Sequence, residues 1–598
     1  MAFVSPVNQM IFTLSQMANY SDLEESEIWP ELNINFIKSL LEEAAKLADS
    51  EIAPLNQIGD QEGCNFSNND VKTAPGFSKA YKKFIDSGWA GISGPSDKGG
   101  QGMPITIAVL IQELWNTSCM SFSLCPMLSQ GAIETINQHA SEEIKITYLP
   151  KLLSGEWTGT MNLTEPQAGS DVGALNTSAK KQKDGSFLIK GTKIYITYGE
   201  HDMSENIIHL VLARIEGSPE GNSGISLFLV PKFLPDDDKN FNVRNDLKCI
   251  GLEKKLGIHA SPTCTMSFGD NKGAIGYLIG EENRGLNCMF TMMNNARLNV
   301  GMQGVGISER SFQQALGYAN ERIQGKDYNS NIENNNTRTE IINHPDVRRM
   351  LLEMKSLTDA TRALCYDNAI AIDLGKSHTD ADIRRKNKLK ADLLTPISKS
   401  WSTDIGVIVS SIGVQVHGGM GFIEETGAAQ HLRDSRIAPI YEGTNGIQAI
   451  DLLTRKISLN NGEAIQNFIQ EISETKDNCL KSNNSNLIQI GKNLSESLDD
   501  VKIATEKILE WLIDEDKKFE VLQNAAFYLE LLGVVAGGHY LARGALNNLK
   551  NDNESTKTDI AYFYCSSYLL KSKGLSKSIC DGNKMINEKD FKKIIEVF

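Results

Sequence analysis

Apolar side chains at Phe36, Ile37, Leu40, Leu41, Ala44 and Leu47 recur at helical spacing near the start of the chain, with Glu42, Glu43 and Lys46 on the opposite face. This spacing predicts an amphipathic helix. Residues 1–155 read as an N-terminal helical domain, interrupted by Gly- and Pro-rich loops at 88–91 and 98–104. The pattern then changes. Asp184-Gly185 marks a turn, and the run that follows, 187–197, is rich in aromatic and β-branched residues. Further short strand-like runs lie at 207–213 and 225–230. Residues 156–280 therefore predict a middle domain built as a small antiparallel β-barrel or sandwich.

Helical spacing returns after residue 281. Val347, Met350, Leu351, Met354 and Leu357 mark one long helix; Leu389, Ala391, Leu394, Ile397 and the apolar run to Val414 mark another. Long helices with short connections imply a C-terminal four-helix bundle over 281–458. The Asn-rich stretch 328–339 reads as a surface loop. Residues 458–462 look like a linker into an appended α-helical domain, 459–598, with internal loops at 483–485 and 551–556. The fold class is α+β, mainly α: helical, β-barrel and helical-bundle domains in that order, then the extension.

Composition narrows the class. A chain of 598 residues exceeds what one core spans, and 40% hydrophobic with 23% charged residues is ordinary for a globular protein. The net charge of −15 argues against a sequence-independent grip on nucleic acid, which needs a basic surface. Ten cysteines without CxxC pairs suggest reduced thiols in an intracellular protein, and nine histidines without an HExxH or a Cys/His cluster give no support for a metal. The N-terminus shows neither a secretory signal nor an Arg-rich transit peptide. The longest apolar stretch, 527–546, is interrupted by Glu530, His539 and Arg543; it reads as a packed helix, not a transmembrane segment.

Four segments are candidates for chemistry. Glu442, in Ile440-Tyr441-Glu442-Gly443-Thr444-Asn445, is set among apolar and small residues, where poor solvation would raise its pKa and make it a usable base. Residues 161–172 combine Thr164-Glu165-Pro166 with Gly169-Ser170-Asp171, small residues that let a backbone approach a flat ligand. On the strand over 193–197, Tyr195 and Thr197 share a face by period-two alternation and could flank an aromatic cofactor. Gln415-Val416-His417-Gly418-Gly419-Met420-Gly421 is Gly-rich at the end of a helical run, suited to presenting N–H groups to phosphate, yet it fits neither GxGxxG nor a Walker A sequence.

In this order the segments resemble the acyl-CoA dehydrogenase family. Thr-Glu-Pro with Gly-Ser-Asp resembles its first signature. The Gln-x-x-Gly-Gly-x-Gly run, then Leu432-Arg433-Asp434 and Tyr441-Glu442-Gly443-Thr444, resembles its second. Lesser matches at 99–102, 148–152, 280–286 and Glu321-Arg322 extend the resemblance over about residues 30–458. The Gly-Thr-Asn-Gly-Ile-Gln form of the second signature and the long extension look most like the 3-(methylthio)propanoyl-CoA dehydrogenase-like subgroup.

The resemblance implies FAD, held non-covalently. Met161, Leu163 and Thr164 would contact the isoalloxazine; Ser170 would lie near both flavin and the CoA arm; Tyr195, Ile196 and Thr197 would line the other flavin face, with Tyr195 where the family often has Trp. Arg322 would meet the FAD pyrophosphate, Thr444 and Asn445 would touch FAD, and Gln415, Gly418 and Gly419 would bind the FAD of a neighbouring subunit. Asn294, Arg297 and Gly443 join Ser170 on the substrate side. Glu442 matches the catalytic base; the place where some relatives carry theirs is Ala296 here.

The implied reaction is α,β-dehydrogenation of an acyl-CoA thioester to the trans-2-enoyl-CoA. Glu442 takes the α-proton, flavin N5 takes the β-hydride, and electrons pass to an electron-transfer flavoprotein. The implied substrate is 3-(methylthio)propanoyl-CoA or a short- or medium-chain acyl-CoA. The implied setting is a cytoplasmic homo-oligomer, a homodimer with a tetramer as the alternative. Two rivals are an acyl-CoA oxidase using oxygen and a DNA-binding, non-catalytic flavoprotein of the same fold; the near balance of charge over 459–598 weighs against the second.

Overall fold

The computed structural model describes residues 3–326, 338–551, 556–581 and 588–597. The loops expected at 328–339 and 551–556 lie, but for their ends, outside the described residues. The chain divides into two compact units: Leu40–Asn299 with a few N-terminal residues, and Pro6–Ser39 with Val300–Phe598. The N-terminal and middle segments thus group together, and the bundle groups with the extension.

The predicted amphipathic helix is α1, Ile34–Leu47; Ile37, Leu41 and Ala44 are buried, whereas Phe36 is exposed. In the first unit, α2 (Ile105–His139) is buried almost from end to end, and α3 (Glu142–Leu153) leads into the β region. Its strands are β1 (Trp157–Asn162), β2 (Ser178–Lys181), β3 (Phe187–Thr197), β4 (Asn206–Ile215), β5 (Ile225–Pro231), β6 (Leu247–Leu252), β7 (Thr263–Phe268) and β8 (Ala274–Ile279). Pairings β3–β8–β5–β4–β2–β3 close a ring, so the barrel is real. It is not wholly antiparallel as expected: β4 pairs in parallel with β1 and with β2. A strand pattern shows which face is buried but not the direction of the neighbouring strand. Phe187, Ile189, Val211, Phe228, Val230 and Met266 fill the barrel.

The long helix α4 (Gly285–Glu321) begins in the first unit and belongs to the second from Val300 on; in the second, α5 (Pro345–Ser377) and α6 (Ala381–His417) are long, α7 (Ala428–Ser435) and α8 (Asn445–Asp451) short. The extension supplies α9 (Glu463–Leu480), α10 (Ser485–Ile513), α11 (Lys518–Asn551), α12 (Thr556–Ser566) and α13 (Lys571–Asp581). By length and composition α6 and α11 could cross a membrane; 44% of the most apolar stretch of the first and 61% of that of the second are buried within the protein.

One apolar core runs through the bundle and the extension: Leu364, Leu394, Ile397 and Trp401 belong to the same cluster as Ile465, Leu494, Leu531 and Tyr564. A charge network reinforces it. Lys390 Nζ lies 2.8 Å from Asp367 and 2.9 Å from Glu471, Tyr540 Oη donates to Asp367 at 2.7 Å, and Arg543 reaches Glu471, Asn19 and the Met17 carbonyl. The extension is therefore part of the bundle's core, not a tethered appendage. On α11, Gly533 packs against the Trp401 ring and Gly537 against Tyr564 Oη and the edge of Trp401, with no room for a Cβ at either. Gly533→Ala is expected to lower stability by about 1–3 kcal/mol through overpacking, read from the denaturant midpoint. Truncation after Ser458 should leave the remaining chain insoluble or without a cooperative thermal transition.

Candidate active site

In the β-containing unit, the segment after β1 is drawn onto β3. Ile194 N–H donates to the Thr164 carbonyl at 2.9 Å, and Thr160 Oγ1 donates to the Thr197 carbonyl at 2.6 Å. Two of the sequence candidates, 161–164 and 193–197, thus form one surface. Its anchor is Glu165, which sequence reasoning left without a role. Its buried carboxylate accepts from Lys193 Nζ (2.8 Å), Thr177 Oγ1 (2.6 Å), the Asn176 N–H (2.7 Å) and Gln167 Nε2 (2.8 Å). Lys193 also donates to the Leu163 carbonyl at 2.9 Å. Burial alone would raise the Glu165 carboxyl; the Lys193 ammonium and the hydrogen bonds outweigh it and hold it down to about 2. Burial draws the Lys193 ammonium down to about 8, with Glu165 opposing.

The register of β7 against β3 shifts between Cys264 and Met266, so two residues, Ile194 and Tyr195, oppose one, Thr265. This is a bulge, and it puts Tyr195 at φ +61°. Tyr195 is 59% exposed and Ile196 is packed in the barrel core, so only the backbone of Ile196 remains for a ligand. Thr197 is half-buried and Ser170 exposed. The Thr164 hydroxyl and N–H, and the Thr197 and Ser170 hydroxyls, make no hydrogen bond among the described residues. An edge carrying uncommitted donors beside an exposed aromatic ring fits a flat, polar ligand such as a flavin. In the same unit Arg297 is buried, its Nη1 donating to Asn294 Oδ1 at 3.3 Å, and Ala296 is buried beside it.

In the helical unit, Glu442 lies on the turn between α7 and α8. It is half-buried, at φ +55°, and Gly443 follows at φ +81°. Around it, Tyr441 Oη donates to Gln303 Oε1, and Thr444 Oγ1 caps α8 by accepting from the Ile447 N–H at 3.2 Å. Lys399 of α6 donates to the Gly443 carbonyl and to Asn445 Oδ1, both at 2.8 Å. Asn445 Nδ2 donates to Ser400 O (3.1 Å), Thr403 Oγ1 (3.1 Å) and Asp404 Oδ1 (2.8 Å). The Asn445 amide, assigned to FAD from sequence, is thus engaged by α6. Lys399 and Gln303 were missed; a lysine in the otherwise apolar and small run 396–402 was the available signal.

Gln415, Gly418 and Gly419 sit exposed at the C-terminal end of α6, and a Cβ on either glycine would meet nothing within 4 Å. Gly418, at φ +61°, ends the helix. His417 is buried, bonded to the Gly413 carbonyl at 2.7 Å and stacked on Tyr318, a helix-end residue. Arg322 is exposed just beyond α4, with no side-chain bond among the described residues. Lys399 and Gly418 are 19 residues apart on α6, about 28 Å at 1.5 Å per residue. The structure does not bring the Gly-rich turn to the Glu442 loop.

Replacing Lys193 by Met leaves the Glu165 charge buried without its cation. The expected cost is about 3–5 kcal/mol, measured by urea unfolding. Because the folded Glu165 carboxyl titrates at about 2, below its usual 4.5, its contribution is complete above about pH 4.5 and is lost as pH falls toward 2. At about 1.4 kcal/mol per unit it amounts to about 3 kcal/mol.

Comparison with known proteins finds matches to family models between residues 37 and 589. Residues 37–156, 160–271 and 283–457 match the N-terminal, middle and C-terminal domains of acyl-CoA dehydrogenase, and residues 463–589 match a domain described as acetyl-CoA dehydrogenase C-terminal like. The chain is 45% identical over 481 residues to 3-methylmercaptopropionyl-CoA dehydrogenase of Ruegeria pomeroyi, covering 80% of this chain and 81% of that one. It is 37% identical to a butyryl-CoA dehydrogenase of Syntrophomonas wolfei, covering 74% and 73%. The fold is similar to that of an acyl-CoA dehydrogenase complexed with FAD from Bacillus anthracis, with a TM-score of 0.68, 21% identity, and coverage of 87% and 85%.

Proposed function

Because the chain belongs to the acyl-CoA dehydrogenase family, we propose that it converts an acyl-CoA thioester to its trans-2-enoyl-CoA with Glu442 as the base. It is an oxidoreductase acting on acyl-CoA, and its cofactor is FAD. The observation that carries the assignment of the base is a half-buried carboxylate on a left-handed turn, inside the Tyr-Glu-Gly-Thr motif. When bound, FAD supplies the two-electron acceptor for the β-carbon. Glu442 accepts the α-proton, and its backbone N–H donates to the thioester carbonyl as negative charge builds there, a bond of a kind that contributes about 3 kcal/mol. Thr164, Thr197 and Ser170 bind cofactor and substrate through their uncommitted donors in this reading, and the glycine pair after α6 receives the FAD of a second copy. The 28 Å span along α6 supports that last role, as do the exposed apolar residues Met420, Phe422 and Ile423 next to the glycines.

The similarity to a 3-methylmercaptopropionyl-CoA dehydrogenase favours 3-(methylthio)propanoyl-CoA, with butyryl-CoA as the runner-up. In this reading an electron-transfer flavoprotein takes the electrons, and the enzyme works as a cytoplasmic homodimer. Glu442→Gln should keep FAD and lower turnover by about 10⁴-fold, the upper range for a general base. Anaerobic titration with a panel of acyl-CoAs, following flavin absorbance, checks this: normal bleaching in the variant removes Glu442 as the base, and the wild-type panel ranks the substrates. Phe422→Asp should shift the protein to monomer by light scattering, with loss of bound FAD.

A further inference from the structure

We propose that Lys399 is a positioning residue for the base, a role that rests on the assignment of Glu442 above. Glu442 at φ +55° and Gly443 at φ +81° are consecutive left-handed residues, and the first is not glycine. Such a conformation persists only where its surroundings over-determine it. Lys399, fully buried, supplies that determination. Its ammonium binds the carbonyl of Gly443, the residue immediately after the base, at 2.8 Å, and so fixes the plane of the following peptide. With a second bond, also 2.8 Å, it holds the Asn445 carbonyl oxygen.

Asn445 completes the clamp. Its oxygen faces the Lys399 cation while its nitrogen faces the Asp404 carboxylate at 2.8 Å, five residues further along α6. An amide presents one acceptor and one donor group in a fixed plane, which matches a cation on one side and an anion on the other. Neither Asp nor Leu could satisfy both. The Asn445 backbone N–H is bound as well, to the Pro439 carbonyl at 3.0 Å, so the loop from 439 to 445 is closed on itself and pinned to α6. Glu442 sits in the middle of that closed segment. Lys399 touches neither reacting carbon in this scheme; it acts through the backbone that carries the base.

The test uses full-length, FAD-loaded enzyme with 3-(methylthio)propanoyl-CoA and butyryl-CoA. Lys399→Met should lower kcat by about 100-fold, the scale of a misplacement near 1 Å, with KM and FAD content within about twofold. The deuterium isotope effect at the α-carbon should rise, because a displaced base makes proton removal slower. Lys399→Arg should recover part of kcat. Independently of activity, hydrogen exchange in the peptide covering 439–448 should accelerate at least about tenfold in Lys399→Met, with the rest of the chain unchanged. Should Lys399→Met fail to hold FAD, Asn445→Ser decides on the same readouts, with an expected loss of about tenfold in kcat. Full kcat and unchanged exchange in a folded variant overturn the proposal while leaving Glu442 as the base if Glu442→Gln is inactive. An active Glu442→Gln instead overturns the reading of the base.

Discussion

A base works only as well as its backbone is held, and at Glu442, the base proposed above, the backbone occupies a conformation that costs an L-residue about 1–2 kcal/mol. The sheet repeats the arrangement. Tyr195 lies at φ +61° on a bulge, beside the segment that carries Leu163 and Thr164. In both places a buried lysine grips a loop carbonyl: Lys193 holds that of Leu163, Lys399 that of Gly443. Each also reaches a second group that fixes its direction, Glu165 in one case and Asn445 in the other. Strain at a candidate site residue, opposed by a desolvated ammonium on neighbouring backbone, is the common device.

The two clamps differ in charge balance, and that difference predicts their behaviour. Glu165 is a buried full charge opposite Lys193, so removing either partner strands the other in a medium of low dielectric. Lys399 meets neutral acceptors directly, and Asp404 stands behind the Asn445 amide. Loss of Lys399 therefore leaves the Gly443 and Asn445 carbonyl oxygens without its ammonium. Damage at Lys193 falls mainly on folding and damage at Lys399 mainly on geometry, which makes Lys399 the more informative of the two for the chemistry.

Much of this was legible in the chain. Helical spacing located α1, α5 and α6 because their buried faces repeat every three to four residues, and the run of β-branched residues located β3. Glu442 stood out because its neighbours are apolar or small, and the Gly-rich turn because of its glycines. What stayed hidden depends on residues distant in sequence. The bulge at Tyr195 exists only against β7, and the parallel pairing of β1 with β4 needs a partner about fifty residues away. Lys193 and Lys399 look like ordinary lysines until Glu165 and Gly443 are seen beside them. Asn445 reads as a ligand contact from its motif, and its engagement by α6 appears only when both segments fold.

The extension bears on the same chemistry. Trp401 is two residues from Lys399 on α6, and Gly533 and Gly537 of α11 are pressed against its ring. Elsewhere on the bundle side, the network through Lys390, Asp367, Glu471 and Arg543 ties α5 and α6 to α9 and α11. The face of α6 that carries Lys399, Thr403 and Asp404 toward the Glu442 turn is thus backed by residues more than a hundred positions downstream. A bundle without that backing would leave Trp401 in water and α6 free to shift. Since hydrogen bonds near 2.8 Å weaken steeply when donor and acceptor are displaced or misaligned, small movements of α6 would loosen the turn that holds the proposed base. Residues 459–598 are in this sense the outermost layer of the scaffold behind the Glu442 turn.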